Sequence, residues 1–304
     1  MPTESAAPSP DTPDAIIRID AADWDSGVAP DHRAAAVAAL ESGGVLLFPG
    51  LAFALEPAEE RFVTPEIASP RSKNVSFNPA TGGVKGAVVG AGDLAAIGAM
   101  MRRYYERTRR LVASLSPQYA AALEDGRTSY RPVEIAGRPS SVRRDDARLH
   151  VDAFVSTPTR GDRIMRVFSN VNRQGRGRHW QIGAPFPEVA GTFLPRLPAQ
   201  MPGSAWLLRL AGVTRRFRTP YDHLMLKLHD TMKADTDYQR QVPRSDFDFP
   251  PGATWITYTD MVSHAVLSGQ YMFEQTFYLP TAALADESKA PLRVLERLSQ
   301  RALV

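Results

Sequence analysis

The stretch LHVDAF, residues 149–154, sets an imidazole and a carboxylate two positions apart inside an apolar run. In an extended segment side chains alternate, so His150 and Asp152 project to one side while Leu149, Val151 and Ala153 cover the other. Both groups are good ligands for a divalent cation. The pair alone is a weak signal, because a buried ion pair on a packed strand has the same spelling. A third ligand at a matching place separates the two readings. Among the other histidines, His32 opens a helix and His179 follows an Arg-Gly loop, while His223 and His229 fall on different faces of one helix. His264 opens a short strand late in the chain. Two histidines and one carboxylate form the facial triad that holds Fe(II) in oxygenases, with open positions for a chelating cosubstrate and O2. His150, Asp152 and His264 fit that set, and Asp260, at a strand end, is a weaker rival carboxylate. The alternative, a buried His150–Asp152 pair beside a core histidine, stays open on these residues alone.

The elements that must position these groups follow from periodicity. AIIRI (15–19) and VLLF (45–48) read as strands around a helix over 32–42 that Gly43-Gly44 stops. Residues 50–92 are rich in Pro, Gly and Ser and show no period. A long helix is expected from an Asp93 cap through LAAIGAMMRRYYERTRRLVASL, then a short one with Ser116 as cap and Pro117 in its first turn. From residue 127 the period becomes two. Strands are expected over 129–135, 148–155, 163–171 and 178–182, then a helix over 221–238 capped by Thr219, then strands over 253–259, 263–267 and 271–279. PLRVLERLSQRAL closes the chain as a helix. This pattern implies an α+β fold with an antiparallel sandwich or barrel at its centre. In a jelly roll, metal ligands come from an early and a late strand meeting at the barrel mouth, as His150, Asp152 and His264 would.

Oxygenases of this class that use 2-oxoglutarate need a cation for its far carboxylate, commonly an Arg or Lys shortly beyond the distal histidine. Here Glu274 stands in that region, and no Arg or Lys occurs between His264 and Lys289. The strand RIMRVFSNVN offers a substitute. By alternation Arg166, Phe168, Asn170 and Asn172 share one face, and the mostly apolar Met165, Val167, Ser169 and Val171 the other. Arg166 is therefore expected in the cavity with Asn170 beside it, and Arg163 is the alternative of opposite parity.

The segments LHVDAFVSTPTRGDRIMRVFSNVN and SHAVLSGQYMFEQTFYLP resemble the Kdo hydroxylases, Fe(II)/2-oxoglutarate/O2-dependent dioxygenases acting on the 3-deoxy-D-manno-oct-2-ulosonic acid sugar of lipid A precursors. The likeness spans about residues 140–280. It implies a double-stranded β-helix (jelly roll, cupin-like) core flanked by helices, with His150, Asp152 and His264 as iron ligands. It also implies hydroxylation of carbon 3 of the sugar on Kdo-lipid A, coupled to oxidative decarboxylation of 2-oxoglutarate. The substrate implied is strongly anionic, which gives a use to Arg144 and Arg148 at the pocket mouth, together with Arg143 and the basic loop NRQGRGR (172–178). A 2-oxoglutarate hydroxylase of another substrate, or a non-catalytic jelly-roll module binding acidic sugars or nucleic acid, are the competing readings.

Composition narrows the rest. The 304 residues, 43% hydrophobic and 23% charged with a net charge of +3, fit one large domain or two modest ones. The expected organisation is a disordered tail over 1–14 and one dioxygenase domain over 15–304: a mainly helical part (15–126), the jelly-roll core (127–280) and a C-terminal helix (281–304). Cysteine is absent, which removes disulfides, Cys-based zinc sites and thiol nucleophiles. The small net charge and the lack of interleaved aromatics argue against a nucleic-acid partner, and the arginines at 102, 103, 107, 109 and 110 read as a solvated helix face. The first residues lack the basic and apolar regions of a secretion signal, and no apolar run approaches ~18 residues, the length a membrane span needs. A cytoplasmic protein is expected, with any contact to the inner membrane peripheral.

Overall fold

The computed structural model describes residues 15–304 apart from Ala22, Arg71, Lys73 and Pro139. The tail expected over 1–14 lies outside the described residues. The strands are β1 (Ile16–Arg18), β2 (Val45–Phe48), β3 (Val75–Phe77), β4 (Val84–Lys85), β5 (Glu124–Arg131), β6 (Arg163–Asn170), β7 (Arg178–Ile182), β8 (Ser245–Phe249), β9 (Thr254–Tyr258), β10 (His264–Ser268) and β11 (Met272–Leu279). They build a large sheet in the order β1-β2-β9-β6-β11-β5-β3-β4 and a small one in the order β10-β7-β8. From β5 onward the chain alternates between them. It runs up β5 in the large sheet, passes residue 150 beside β10 at the edge of the small sheet, and returns as β6. It then crosses to β7 and β8, back to β9, over to β10 and back to β11. That alternation is the jelly-roll path. β1 and β2 widen the large sheet beyond β9, and β3 and β4 widen it beyond β5, so residues before 127 contribute half of its strands.

The facing sides of the two sheets enclose an aromatic core. Phe168 and Trp255 of the large sheet meet Trp180 and Phe249 of the small one, with Phe249 stacked on Trp255 at 4.1 Å between ring centroids. Helices α1 (Pro30–Glu41) and α2 (Ala91–Leu115) pack on the large sheet, and α3 (Pro117–Ala122), α4 (Phe186–Phe193), α6 (Pro220–Ala234) and α8 (Pro291–Ser299) join the same apolar cluster, while α5 (Ser204–Leu210) and α7 (Thr236–Gln241) bury none of their residues. Helix α2 shows why the sequence folds this way. Ile97, Met100, Met101, Tyr104, Thr108, Leu111, Val112 and Leu115 recur at helical spacing and are all buried. Tyr104 donates its hydroxyl to Val167 O of β6 at 3.1 Å. On the outer side Arg103 pairs with Glu59, Arg109 with Asp125 and Arg110 with Asp25.

Several boundaries differ from expectation for local reasons. Helix α2 starts at Ala91 with Gly90 before it, and Asp93 lies in the first turn, 2.8 Å from Arg61, instead of capping. The expected helix over 221–238 is two, because Asp235 leaves helical geometry and accepts from the amides of Asp237 and Tyr238, capping α7. The strand expected over 129–135 runs from 124 to 131 and stops before Pro132, which has no amide to donate. Residues 148–155 form no strand: only His150 bridges to a neighbour. The aperiodic stretch 50–92 holds β3 and β4, too short to announce themselves.

Candidate metal centre

His150 and His264 face each other where the 148–155 stretch touches the small sheet. His150 N donates to His264 O at 3.0 Å, and His264 N returns the bond to His150 O at 2.9 Å. Asp152 N donates to Thr259 O at 2.7 Å, which keeps the chain extended and brings the carboxylate back to the side of His150. Leu149 and Val151 are fully buried. The alternation expected of LHVDAF therefore holds without a ladder.

Both imidazoles are oriented by carbonyl oxygens. His150 Nδ1 lies 2.7 Å from Arg148 O, and His264 Nδ1 lies 2.8 Å from Val262 O. A carbonyl only accepts, so each Nδ1 carries the proton and each Nε2 keeps its lone pair. His264 also stacks on Trp180, 5.0 Å between centroids at 20°. One ligand atom each from His150, Asp152 and His264 lies within 4.8 Å of the others.

The protonation states suit a cation. Burial, together with His264 and Lys233 nearby, holds His150 well below the usual imidazole value. Burial likewise lowers His264 against the opposing pull of Asp152. For Asp152 burial acts upward, but the Arg166 guanidinium beside it outweighs that and keeps the carboxyl below the usual range. Two neutral imidazoles and an ionised carboxylate are the form a divalent ion needs. Asp152 Oδ2 is buried and makes no hydrogen bond, although Arg166 Nη2 lies 3.2 Å away. The donor set and this orphaned oxygen fit a bound metal.

Beside the triad runs a line of alternating charges across three adjacent strands. Arg131 of β5 donates through Nε and Nη2 to Glu274 Oε2 of β11 at 2.9 and 2.8 Å. Glu274 Oε1 lies 3.2 Å from Arg166 Nη1 of β6, and Arg166 Nη2 reaches Asp152. Glu274 thus does not leave the late strand short of a cation. It draws in two, one from each neighbouring strand. Arg166 enters the cavity as expected, but both ends of its guanidinium meet carboxylates.

Arg178, at the head of β7, is different. It is buried, its Nη1 donates to Gly269 O at 2.6 Å, and its Nε has no hydrogen-bond partner. Among the described residues no carboxylate lies within ion-pairing distance of it. Burial and the repulsion of Arg131 push its guanidinium below the usual value. A cavity of about 210 Å³ is lined by the triad, Arg131, Arg166, Arg178, Asp146, Glu274 and the apolar Ile135, Phe168, Trp180, Val266 and Met272. A second cavity of about 450 Å³ shares Arg166 and Glu274 as its wall and adds Arg127, Phe154, Thr157, Arg215 and Tyr278.

Other expected site residues lie elsewhere. Asn170 does not join Arg166. Its Nδ2 donates to Arg176 O and Phe249 O, its Oδ1 accepts from Asn172 N, and it lines a separate cavity. Arg163 is fully buried against Asp260, 2.8 Å from Nε to Oδ2, and stacks over Tyr258, so neither residue reaches the triad cavity. Arg148 lends the centre its carbonyl, while its guanidinium reaches Lys233 O at 3.0 Å and Asp145 at 3.3 Å. Arg144 is exposed on a short turn over 142–144. Neither arginine lines the two cavities. Sequence reasoning missed Arg131 and took Arg178 as part of a basic loop. The available signal was Glu274, an acid on a buried strand that had to find partners across the sheet.

The chain matches the family of 3-deoxy-D-manno-oct-2-ulosonic acid (Kdo) hydroxylases over residues 23–302. It is also similar to crystal structures of the Kdo hydroxylase KdoO, a non-heme Fe(II) alpha-ketoglutarate-dependent dioxygenase. The complex with alpha-ketoglutarate and Fe(III) is 45% identical with a TM-score of 0.91. The cobalt(II) complex is 46% identical at 0.93, and the complex with succinate and Fe(III) 45% at 0.92. Each comparison covers 95% of this chain and 97% of the other. No curated protein sequence matches.

Proposed function

The chain belongs to the Kdo hydroxylase family, and on that premise we propose which residues carry the reaction and on what substrate. His150, Asp152 and His264 hold Fe(II); 2-oxoglutarate fills the 210 Å³ cavity with its far carboxylate on Arg178. The sugar enters from the 450 Å³ cavity, where Arg127 and Arg215 meet its carboxylate, and carbon 3 of Kdo in a Kdo-lipid A precursor is hydroxylated. The single observation that carries this reading is the pair of imidazoles with Nδ1 bound to carbonyls, both Nε2 lone pairs free beside an ionised carboxylate.

Charge supports the cosubstrate. Arg131, Arg166 and Arg178 face Asp152 and Glu274 around the cavity, and Asp146 is shared with Lys233 and Arg138, so a divalent metal leaves an excess of positive charge for a dianion to offset. Bound Fe(II) supplies the coupled decarboxylation and O2 activation that put oxygen into a C–H bond. The chain's part is positioning. Arg166 fixes Asp152, the Arg148 and Val262 carbonyls fix the imidazoles, and Trp180 supports His264 from its face. Phe168, Val266 and Met272 give the cavity an apolar wall. No side chain has to move a proton.

Lipid-linked Kdo places the enzyme at the cytoplasmic side of the inner membrane as a peripheral protein. No helix among the described residues is long and apolar enough to cross one. The test is incubation with Fe(II), 2-oxoglutarate, O2 and a Kdo-lipid A precursor. Succinate release together with a sugar gaining one oxygen atom is expected. Succinate without an altered sugar refutes the substrate assignment and leaves the enzyme class.

A further inference from the structure

Six of the exposed large hydrophobic side chains among the described residues fall in one segment: Met201, Trp206, Leu207, Leu210, Val213 and Phe217. Their exposures include 74% for Met201, 57% for Trp206 and 70% for Leu210. No residue of α5, Ser204–Leu210, is buried. Globular surfaces rarely gather so much apolar area without a partner. Charge narrows the partner. From Val189 to Tyr221 the chain has no Asp or Glu, while Arg196, Arg209, Arg215, Arg216 and Arg218 fall within it. Apolar side chains that can enter a hydrocarbon boundary, interleaved with cations alone, suit an anionic lipid surface better than a protein interface, whose core is depleted of charge.

The segment is also tied to the centre. Arg215 N donates to Ser156 O at 3.0 Å, and Arg218 Nη2 donates to Val155 O at 2.9 Å. Those residues belong to the loop that leaves the His-x-Asp stretch. Phe154, Val155, Ser156 and Thr157 line the 450 Å³ cavity together with Arg215, and Val155 is itself exposed. We propose that residues 201–218 dock the protein on an anionic membrane and thereby hold the mouth of that cavity against the lipid surface. This rests on the reading of the cavity as the entry for a lipid-linked acidic sugar, but the docking itself is measured separately.

Tryptophan makes the measurement specific. Trp24, Trp180 and Trp255 are 6%, 1% and 0% exposed, so of the four tryptophans only Trp206 can meet lipid. The full-length protein is mixed with vesicles of phosphatidylcholine, with and without phosphatidylglycerol. Sedimentation with the anionic vesicles, weakened by salt, is expected. A blue-shifted emission quenched by brominated lipid should accompany it and vanish in Trp206→Phe. The double variant Leu207→Glu/Leu210→Glu should lower the bound fraction by about tenfold or more, with an unchanged melting temperature. Its turnover of a deacylated, water-soluble Kdo substrate should match wild type, while turnover of vesicle-borne substrate falls. Vesicle binding without any Kdo turnover supports the docking surface and sinks the substrate assignment. Absence of binding, or binding without quenching of Trp206, overturns the proposal. So does a wild-type dimer that the double variant converts to monomer without any vesicle binding, since the patch then belongs to a second copy.

Discussion

His150 and His264 are joined by both of their backbone hydrogen bonds, so the two imidazoles are placed by the main chain before any metal arrives. Removing one ring should therefore cost the ligand and not the link. For His264→Ala we expect metal affinity to fall by more than ~100-fold, since even outer partners of ligating histidines are worth 10–100-fold. The circular dichroism spectrum should stay native. Calorimetric titration of Co(II) into both proteins checks this, and undiminished binding would remove His264 from the centre.

Among the described residues, Arg178 is the cavity cation with no carboxylate in ion-pairing distance. Arg178→Gln should raise the KM for 2-oxoglutarate by roughly 10–100-fold, the loss of about 1.5–3 kcal/mol for a charged hydrogen bond, while Co(II) affinity stays. A change placed behind it makes a second test. Gly269 has φ of +121°, and a Cβ there would come 2.6 Å from Arg178 Cδ. Gly269→Ala should thus raise the same KM with Arg178 intact. If steady-state assays show the larger KM change in Arg166→Gln, the anchor is Arg166 instead.

The Arg163–Asp260 pair is fully buried within the fold. Asp260→Asn leaves a buried guanidinium with no opposite charge and should cost about 3–5 kcal/mol. The double variant Arg163→Met/Asp260→Leu should recover much of it. Urea unfolding gives both values, and a single variant as stable as wild type would mean that the pair is dispensable.

Acid should weaken the metal-free protein in two stages. His150 and His264 are held below the ordinary imidazole value of 6.5, so the unfolded chain takes up protons that the folded chain refuses. Stability from these groups is full above pH 6.5 and declines as pH falls below it, because the unfolded chain gains protons that the folded chain does not. Asp152 and Glu274, both held below the usual carboxyl range, extend the loss below about pH 4. Melting temperatures measured from pH 8 to pH 4 should show the first stage shrink in His150→Gln.

Much of the centre was legible because it rests on local rules. Alternation placed His150 with Asp152 and put Arg166 in the cavity, and RHWQI and VLLF match β7 and β2 residue for residue. Asn170 failed because β6 ends there, and at a strand end the amide is taken by the turn that follows. Arg131 and Glu274 were invisible as a pair because contact between β5 and β11 is a property of sheet order, which no period reports. The 148–155 stretch was named a strand from its pattern, yet a sheet edge touched once makes no ladder.

The bridge from residue 150 to residue 264 also governs when the centre can exist. β2 pairs with β9 and β5 with β11 in the large sheet, and β7 pairs with β8 and β10 in the small one, so both sheets are closed by the final third of the chain. Contacts this distant in sequence form slowly, after the loop entropy of the intervening chain is overcome. A ribosome that has released only the first 260 residues has made no three-ligand site. Iron loading at the proposed triad would therefore be a late event in the life of the polypeptide, since a chain that stops before His264 lacks one of the three ligands.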